Sequence, residues 1–217
     1  MSLLKAILFD NDGVLAHTER HWVDANQKVL AEMGIPYTKE DFITHTFNEG
    51  WGSRGWLERQ GFNEDTIKDF FVARNALWQQ KISALDVTDE HAVPVLKMLK
   101  PDYRLAVVTN TGRDDFKSLH WNASALLELF DTMILREDYD RSKPEPDAYE
   151  AALEKLNILP TEALVVEDSP RGILSAQRAS IQVVAIRNPD FPSLDLSSAQ
   201  YEISSLTELP ELISKLH

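Results

Sequence analysis

The sequence contains no cysteine among its 217 residues, which excludes disulfides and thiolate metal sites. It also lacks any apolar run close to the roughly 20 residues that a membrane-spanning helix needs. Basic residues are scarce: 22 Lys and Arg against 35 Asp and Glu give a formal net charge of −13. This charge argues against nucleic-acid or membrane partners. The chain begins without a signal-peptide pattern, so we expect a cytoplasmic protein.

The 43% hydrophobic content is enough for a sizeable core and a second, smaller domain. Short apolar, partly β-branched runs predict buried strands at 5–9, 104–108, 163–167 and 182–186, with weaker candidates at 132–135 and 201–203. Apolar residues spaced three and four apart predict helices over 115–129, 145–157, 170–179 and 209–216. This alternation predicts an α/β fold, a Rossmann-like parallel sheet with helices on both faces.

Residues 16–89 break the alternation. They predict helices over 22–33, 39–46 and 64–83, contain no convincing strand, and carry four of the five tryptophans. We therefore predict an all-helical second domain over 16–89, inserted into a core made of 1–15 and 90–217.

The quartet Asp10-Asn11-Asp12-Gly13 directly follows the first predicted strand. Parallel sheets bind ligands outside the carboxyl ends of their strands. Two carboxylates this close repel each other unless a proton is shared or a cation neutralises one, and Mg²⁺ is the simplest such cation. Asp-Gly also favours a hairpin turn, but the residues that follow lack the alternation of a return strand.

Three later segments offer complementary chemistry. Thr109 and Asn110 follow the second long strand and can hydrogen-bond phosphate oxygens, although a helix cap is the alternative interpretation. Lys143 lies in a proline-stiffened loop, where it can act as a point charge on a phosphoryl group. Glu167 and Asp168 form a second acidic pair at a strand end, ahead of a Ser-Pro pair typical of a helix start, and Asp168 is a candidate metal ligand.

These four motifs, in this order, resemble those of the haloacid dehalogenase superfamily. Asp10-Asn-Asp12 is similar to its first motif, Thr109-Asn110 to its second, Lys143 to its third, and Glu167-Asp168 to its fourth. The resemblance implies that 1–15 and 90–217 form the catalytic core and that 16–89 form a helical cap domain.

The resemblance also implies roles for the acidic residues. Asp10 would attack phosphorus and form an aspartyl-phosphate, while Asp12 would act as general acid and then general base. Mg²⁺ would be held by the Asp10 and Asp168 carboxylates and by the Asp12 backbone carbonyl. Glu167 would orient a metal-bound water.

The same resemblance assigns the phosphate oxygens to Thr109, Asn110, Lys143 and the backbone amide of Asn11. In the cap, the segment 48–56 (NEGWGSRGW) is read as a loop. There, Arg54 is a candidate for binding a second anionic or hydroxyl group of the substrate. The alternative is a structural turn whose tryptophans pack into the cap core.

The predicted function is an Mg²⁺-dependent phosphatase of small phosphate monoesters, such as sugar phosphates or similar metabolites, working as a monomer or weak homo-oligomer. A sugar phosphomutase of the β-phosphoglucomutase type is the alternative. However, mutases of the superfamily carry a histidine ten residues beyond the second aspartate, where this chain has Trp22 and places His21 one residue earlier. A non-enzymatic alternative is a phospho-accepting switch or binding protein, whose motif order differs.

Overall fold

The computed structural model of the protein describes residues 4–120 and 123–216. Its strands are β1 (Ala6–Phe9), β2 (Arg104–Val108), β3 (Thr132–Ile134), β4 (Ala163–Glu167), β5 (Gln182–Ile186) and β6 (Tyr201–Ile203). They form one parallel sheet in the order β3-β2-β1-β4-β5-β6. Each strand lies within one residue of the run that predicted it, and the predicted Rossmann-like α/β fold is confirmed.

Strand β1 lies at the centre of the sheet and is completely buried. Phe9 is paired with Val107 of β2 on one side and with Val166 of β4 on the other. From β1 the chain builds outward through β2 and β3 and then returns to place β4 on the opposite side. The strand order therefore reverses between β1 and β4, the position where open α/β sheets bind ligands.

The helices are α1 (Glu19–Glu32), α2 (Lys39–Phe42), α3 (Gly52–Arg59), α4 (Glu64–Ile82), α5 (Ala92–Leu99), α6 (Arg113–Leu119), α7 (Ser124–Leu127), α8 (Asp147–Leu156), α9 (Pro170–Arg178) and α10 (Leu209–Ser214). A π-helix, Ile43–Asn48, continues α2, and three short 3₁₀ turns cover Arg136–Asp138, Pro160–Glu162 and Leu206–Glu208. Within the described residues, no helix combines the length and apolarity needed to cross a membrane.

The chain divides into two compact units, Met1–His17 with Thr88–His217, and Thr18–Val87. We call them the sheet unit and the helical unit. The helical unit is built on α1 and α4, which pack against each other. Trp22 of α1 stacks on the fully buried Trp78 of α4, with ring centroids 4.1 Å apart and planes 9° from parallel. Large buried aromatic area of this kind dominates core energetics.

Two local predictions are wrong. The segment 48–56 is not all loop, because α3 begins at Gly52. Its Leu57 is fully buried and its Trp56 packs edge-on against Tyr37, at 5.1 Å between centroids, so packing outweighs the low helix propensity of two glycines.

The second wrong prediction is a single helix over 115–129. Helix α6 ends at Leu119, because the backbone of His120 (φ −100°, ψ 19°) leaves helical geometry, and α7 is a separate short turn. Residues 121–122 of the predicted helix lie outside the described residues.

Candidate active site

The carboxyl end of β1 delivers the first acidic motif. The amide of Asp10 donates to Val166 O of β4 at 3.0 Å, which continues the sheet ladder by one residue. Gly13 then adopts φ 80°, a conformation that glycine reaches without strain, and its amide donates to Ala16 O at 2.7 Å. This turn takes the chain out of the strand and leaves Asp10 and Asp12 at the end of β1.

Lys143 joins the motifs in the centre of the site. Its ammonium donates to Asp10 Oδ1 at 2.7 Å, Glu167 Oε1 at 2.8 Å and Val108 O at 2.7 Å, which uses all three of its protons. The side chain is 3% exposed. Burial opposes the charge, but the carboxylates of Asp10 and Glu167 outweigh burial and raise the pKa of the Lys143 ammonium. Lys143 is therefore a fixed positive charge in direct contact with Asp10.

Glu167 is held on both of its oxygens. Besides Lys143, Oε1 accepts from Tyr149 Oη at 2.9 Å, while Oε2 accepts from Asp168 N and Ser169 Oγ, both at 3.1 Å. Ser169 also caps α9 by accepting from Gly172 N, which confirms the helix start predicted there. A Cβ on residue 172 would lie 1.9 Å from the Glu167 carboxylate, so only glycine at this position leaves space for that carboxylate.

The acidic cluster suits a hard divalent cation. Carboxylate oxygens of Asp10, Glu167 and Asp168 lie within 4.8 Å of one another, and all three residues are buried. Since both Glu167 oxygens already accept protein hydrogen bonds, Asp10 and Asp168 are the carboxylates better placed to bind a cation. Asn188 orients Asp168 by donating to its Oδ2 at 2.9 Å.

The excess negative charge of the acidic cluster also favours a bound cation. Burial and the neighbouring carboxylates Glu167, Asp168 and Asp12 raise the pKa of the Asp10 carboxyl well above its usual value, although Lys143 opposes them. A bound cation would relieve this repulsion, and oxygen ligands are those that Mg²⁺ and similar ions prefer.

The loop after β2 contacts Asp12. Thr111 Oγ1 donates to Asp12 Oδ2 at 2.6 Å and Thr109 Oγ1 donates to the same oxygen at 3.3 Å. Asn110 acts differently, since its Oδ1 accepts from Tyr139 Oη at 2.8 Å and from Lys143 N at 3.2 Å. The carboxamide thus holds the Lys143 loop. The predicted role of Thr109 and Asn110 in binding phosphate stays a prediction.

Arg54 lies in the helical unit, on the exposed side of α3. Its guanidinium donates to both oxygens of Glu64, at 2.8 and 3.2 Å, and lies 3.6 Å from Glu58. These carboxylates raise the pKa of the guanidinium. The predicted substrate contact of Arg54 stays a prediction, and a substrate anion would compete with Glu64 for it.

A family model described as haloacid dehalogenase-like hydrolase matches residues 7–186, a range that contains all four motifs. The chain belongs to the haloacid dehalogenase-like hydrolases. The resemblance on which the four motifs were interpreted is therefore confirmed.

Relatives of this hydrolase include named phosphatases. It is 30% identical over 212 residues to validoxylamine A 7′-phosphate phosphatase of Streptomyces hygroscopicus subsp. limoneus, covering 95% of this chain and 96% of the relative. It is 29% identical to the phosphorylated carbohydrates phosphatase of Thermotoga maritima, covering 82% of this chain and 83% of the relative. The crystal structure of CbbY from Rhodobacter sphaeroides in complex with phosphate has the same fold, with a TM-score of 0.80, 24% identity and coverage of 95% and 96%.

Several residues of this hydrolase's site were missed from the sequence. They share one property, which is that they contact a motif residue from outside the motifs: Tyr139, Tyr149, Gly172, Asn188 and His120. Tyr139 and Tyr149 gave a weak signal, since both lie within six positions of Lys143, and so did Gly172, five positions after Glu167. Asn188 and His120 reach the site through tertiary packing.

Proposed function

We propose that this hydrolase is an Mg²⁺-dependent phosphatase of small phosphorylated sugars or related metabolites, working through an aspartyl-phosphate on Asp10. The observation that carries the proposal is the buried contact of Asp10 with Lys143, beside Asp12 with its own set of hydrogen-bond donors. The names of the relatives support the substrate class.

The first step is phosphoryl transfer to Asp10. A carboxylate oxygen of Asp10 attacks phosphorus, the P–O bond to the substrate alcohol breaks, and the proton on Asp12 passes to the departing oxygen. Lys143, already 2.7 Å from Asp10, supplies fixed positive charge for the oxygens of the transferring group. Thr109, Asn110 and the backbone amide of Asn11 are the further candidates for binding these oxygens.

The second step is hydrolysis of the aspartyl-phosphate. Asp12, now ionised, takes a proton from water as the water oxygen attacks phosphorus, and the bond from phosphorus to the Asp10 oxygen breaks. Phosphate leaves, Asp10 returns to the carboxylate, and Asp12 is protonated again. One aspartate thus serves as acid and then as base.

The residues present fit a divalent cation. The Asp10 and Asp168 carboxylates and the Asp12 backbone carbonyl would hold it, with Glu167 orienting its surroundings through the hydrogen bonds described above. When bound, the cation supplies positive charge that offsets the charge of the phosphate and of the acidic cluster.

Trp22 favours hydrolysis over phosphomutase chemistry. It occupies the position where mutases of the superfamily carry a histidine, and its indole stacks on Trp78. An indole in this stack cannot accept or deliver a proton as an imidazole can.

The test is phosphate release from a panel of sugar phosphates and other monoesters, with Mg²⁺ and after chelation. We expect Mg²⁺-dependent release of free phosphate, with no isomerised sugar phosphate among the products. Asp10→Asn is the matched control, because it keeps the size of the side chain but removes the nucleophile. A folded wild-type protein that releases no phosphate, or an active Asp10→Asn variant, contradicts the proposal.

A further inference from the structure

His120 and Asn11 form a buried hydrogen-bonded chain that ends on Asp12. His120 Nε2 lies 2.7 Å from Asn11 Oδ1, and Asn11 Nδ2 lies 3.2 Å from Asp12 Oδ2. Asn11 is fully buried and His120 is 4% exposed. The chain connects the end of α6 to the first motif across 109 positions of sequence.

The direction of each bond follows from the chemistry of Asp12. Oδ2 of Asp12 accepts from both threonines, so the proton that Asp12 delivers as general acid belongs on Oδ1; the NH₂ group of Asn11 therefore faces Oδ2 and its carbonyl oxygen faces His120. That oxygen in turn only accepts, so Nε2 of His120 carries the proton. Burial lowers the pKa of His120 to about 4, although the charge of Asp12 opposes this, and the ring is neutral at neutral pH.

Three donors converge on one oxygen of Asp12. Besides Asn11, Thr111 and Thr109 donate to Oδ2, at 2.6 and 3.3 Å. The two threonines approach from the loop after β2, whereas Asn11 is the neighbour of Asp12 in sequence and is itself held by His120. Donors that approach from separate elements fix the rotation of the carboxylate about its Cβ–Cγ bond.

We propose that His120 is a positioning residue which, through Asn11, sets the orientation of the Asp12 carboxylate for proton transfer to the leaving group. This inference rests on the proposed function, because it requires Asp12 to be the general acid. His120 does not touch the reacting atoms. Without it, the buried Oδ1 of Asn11 loses its donor, and the carboxamide must rotate to find another, which withdraws Nδ2 from Asp12.

The dependence on the leaving group distinguishes this role from a structural one. Protonation matters most for alkoxides, as in a sugar phosphate, and little for p-nitrophenolate, which leaves as a stable anion. We compare kcat/KM, because it reports the step in which the leaving group departs. His120→Leu is expected to lower kcat/KM for an alkyl phosphate about tenfold more than for p-nitrophenyl phosphate. This difference is small beside the roughly hundredfold to ten-thousandfold that a general acid contributes, because Asp12 itself remains in place.

Two variants are the controls. His120→Gln keeps an N–H donor and is expected to recover most of the lost alkyl phosphate activity. Phe116→Leu removes the ring that packs on His120, at 4.5 Å between centroids, and is expected to change kcat/KM for both substrates by the same factor. Equal losses on both substrates in His120→Leu, or a His120→Gln variant no better than His120→Leu, overturns the inference.

Asn11→Leu repeats the test from the other end and replaces His120→Leu should that variant not fold. We compare the ratio of kcat/KM for the alkyl phosphate to kcat/KM for p-nitrophenyl phosphate. If both residues act through one chain, this ratio falls no further in the double variant than in either single variant, whereas additive falls contradict the inference. A wild-type protein that is inactive on both substrates counts against the proposed function itself. An active wild type whose ratio of kcat/KM for the two substrates is unchanged in the variants counts against the positioning chain alone.

Discussion

Buried polar side chains are arranged differently in the two units of this protein. In the sheet unit they converge on carboxylates, and Lys143 alone cannot neutralise Asp10, Glu167 and Asp168. In the helical unit, neutral side chains pair with one another: Tyr37 pairs with His45, and Ser53 donates to Asn26 at 2.9 Å.

This difference indicates that the buried polar groups of the sheet unit form a functional site, whereas those of the helical unit belong to its packed core. These side chains of the helical unit are neutral and bond to one another, so they specify packing. The carboxylates of the sheet unit repel one another, and a bound cation would relieve that repulsion. Substitutions around the acidic cluster should therefore affect chemistry as well as stability, whereas substitutions in the helical unit, apart from the candidate substrate contact Arg54, should affect stability alone.

Loss of Lys143 should have the largest effect. Lys143→Met leaves two buried carboxylates without their ammonium, and we expect the metal-free protein to lose about 3–5 kcal/mol of unfolding free energy. Activity should fall by about a thousandfold, because a preorganised charge at the reacting group is removed. Denaturant titration and kcat/KM are the measurements.

The matched control is Lys81→Met in the helical unit. Lys81 and Asp24 form an exposed ion pair, with side chains 41% and 55% exposed, and such pairs contribute about 0–1 kcal/mol. Equal losses of stability in Lys81→Met and Lys143→Met would remove the distinction between the units.

Acid should weaken the helical unit through His45. Burial lowers the pKa of His45 to about 4, from about 6.5 in the unfolded chain. Between these values the unfolded state holds more protons than the folded state, so stability falls as pH falls through this window. From pH 7 to pH 4 we expect a loss on the order of 3 kcal/mol from this residue.

The measurement is denaturant unfolding of wild type and His45→Gln across that pH range. The variant should lose stability at pH 7, where the bonds to Tyr37 and Thr46 are disturbed, but should show a smaller acid dependence. An acid dependence equal to that of wild type would show that His45 is not the group that titrates.

Gly172→Ala should damage the site with a smaller effect. Its Cβ would overlap the Glu167 carboxylate, which must move and release Lys143. We expect kcat/KM to fall by about tenfold to hundredfold, as for small displacements of catalytic groups. Gly55→Ala in α3 is the comparison. Its Cβ would lie 2.6 Å from Trp51 Cβ, which can move only with the Trp51 backbone, so we expect a loss of unfolding free energy but an unchanged kcat/KM for p-nitrophenyl phosphate.

Arg54→Gln should have the smallest effect. Arg54 and its partner Glu64 are exposed, so we expect no measurable change in Tm. If the guanidinium binds a second group of the substrate, KM should rise severalfold for sugar phosphates and stay unchanged for p-nitrophenyl phosphate. Parallel changes in both KM values would contradict a role in substrate recognition.

The sheet unit was far more predictable from the sequence than the helical unit. Buried parallel strands are short apolar runs, and the motifs follow them at the same edge, so the contacts among Asp10, Lys143 and Glu167 could be anticipated. The contacts made by His120 and Asn188 could not, because each depends on how a separate element packs. In the helical unit, packing of Leu57 and Trp56 overrode local propensity, and α3 was missed.

The claim that Asp10 is the nucleophile is tested most directly by acid-quenching wild-type protein during turnover of a sugar phosphate with Mg²⁺ and locating the phosphoryl group by peptide mass spectrometry. The account predicts one phosphoryl group on the peptide that contains Asp10, sensitive to hydroxylamine as an acyl phosphate is, and none in Asp10→Asn. Phosphoryl label on another residue, or phosphate release by Asp10→Asn at the wild-type rate, would contradict it.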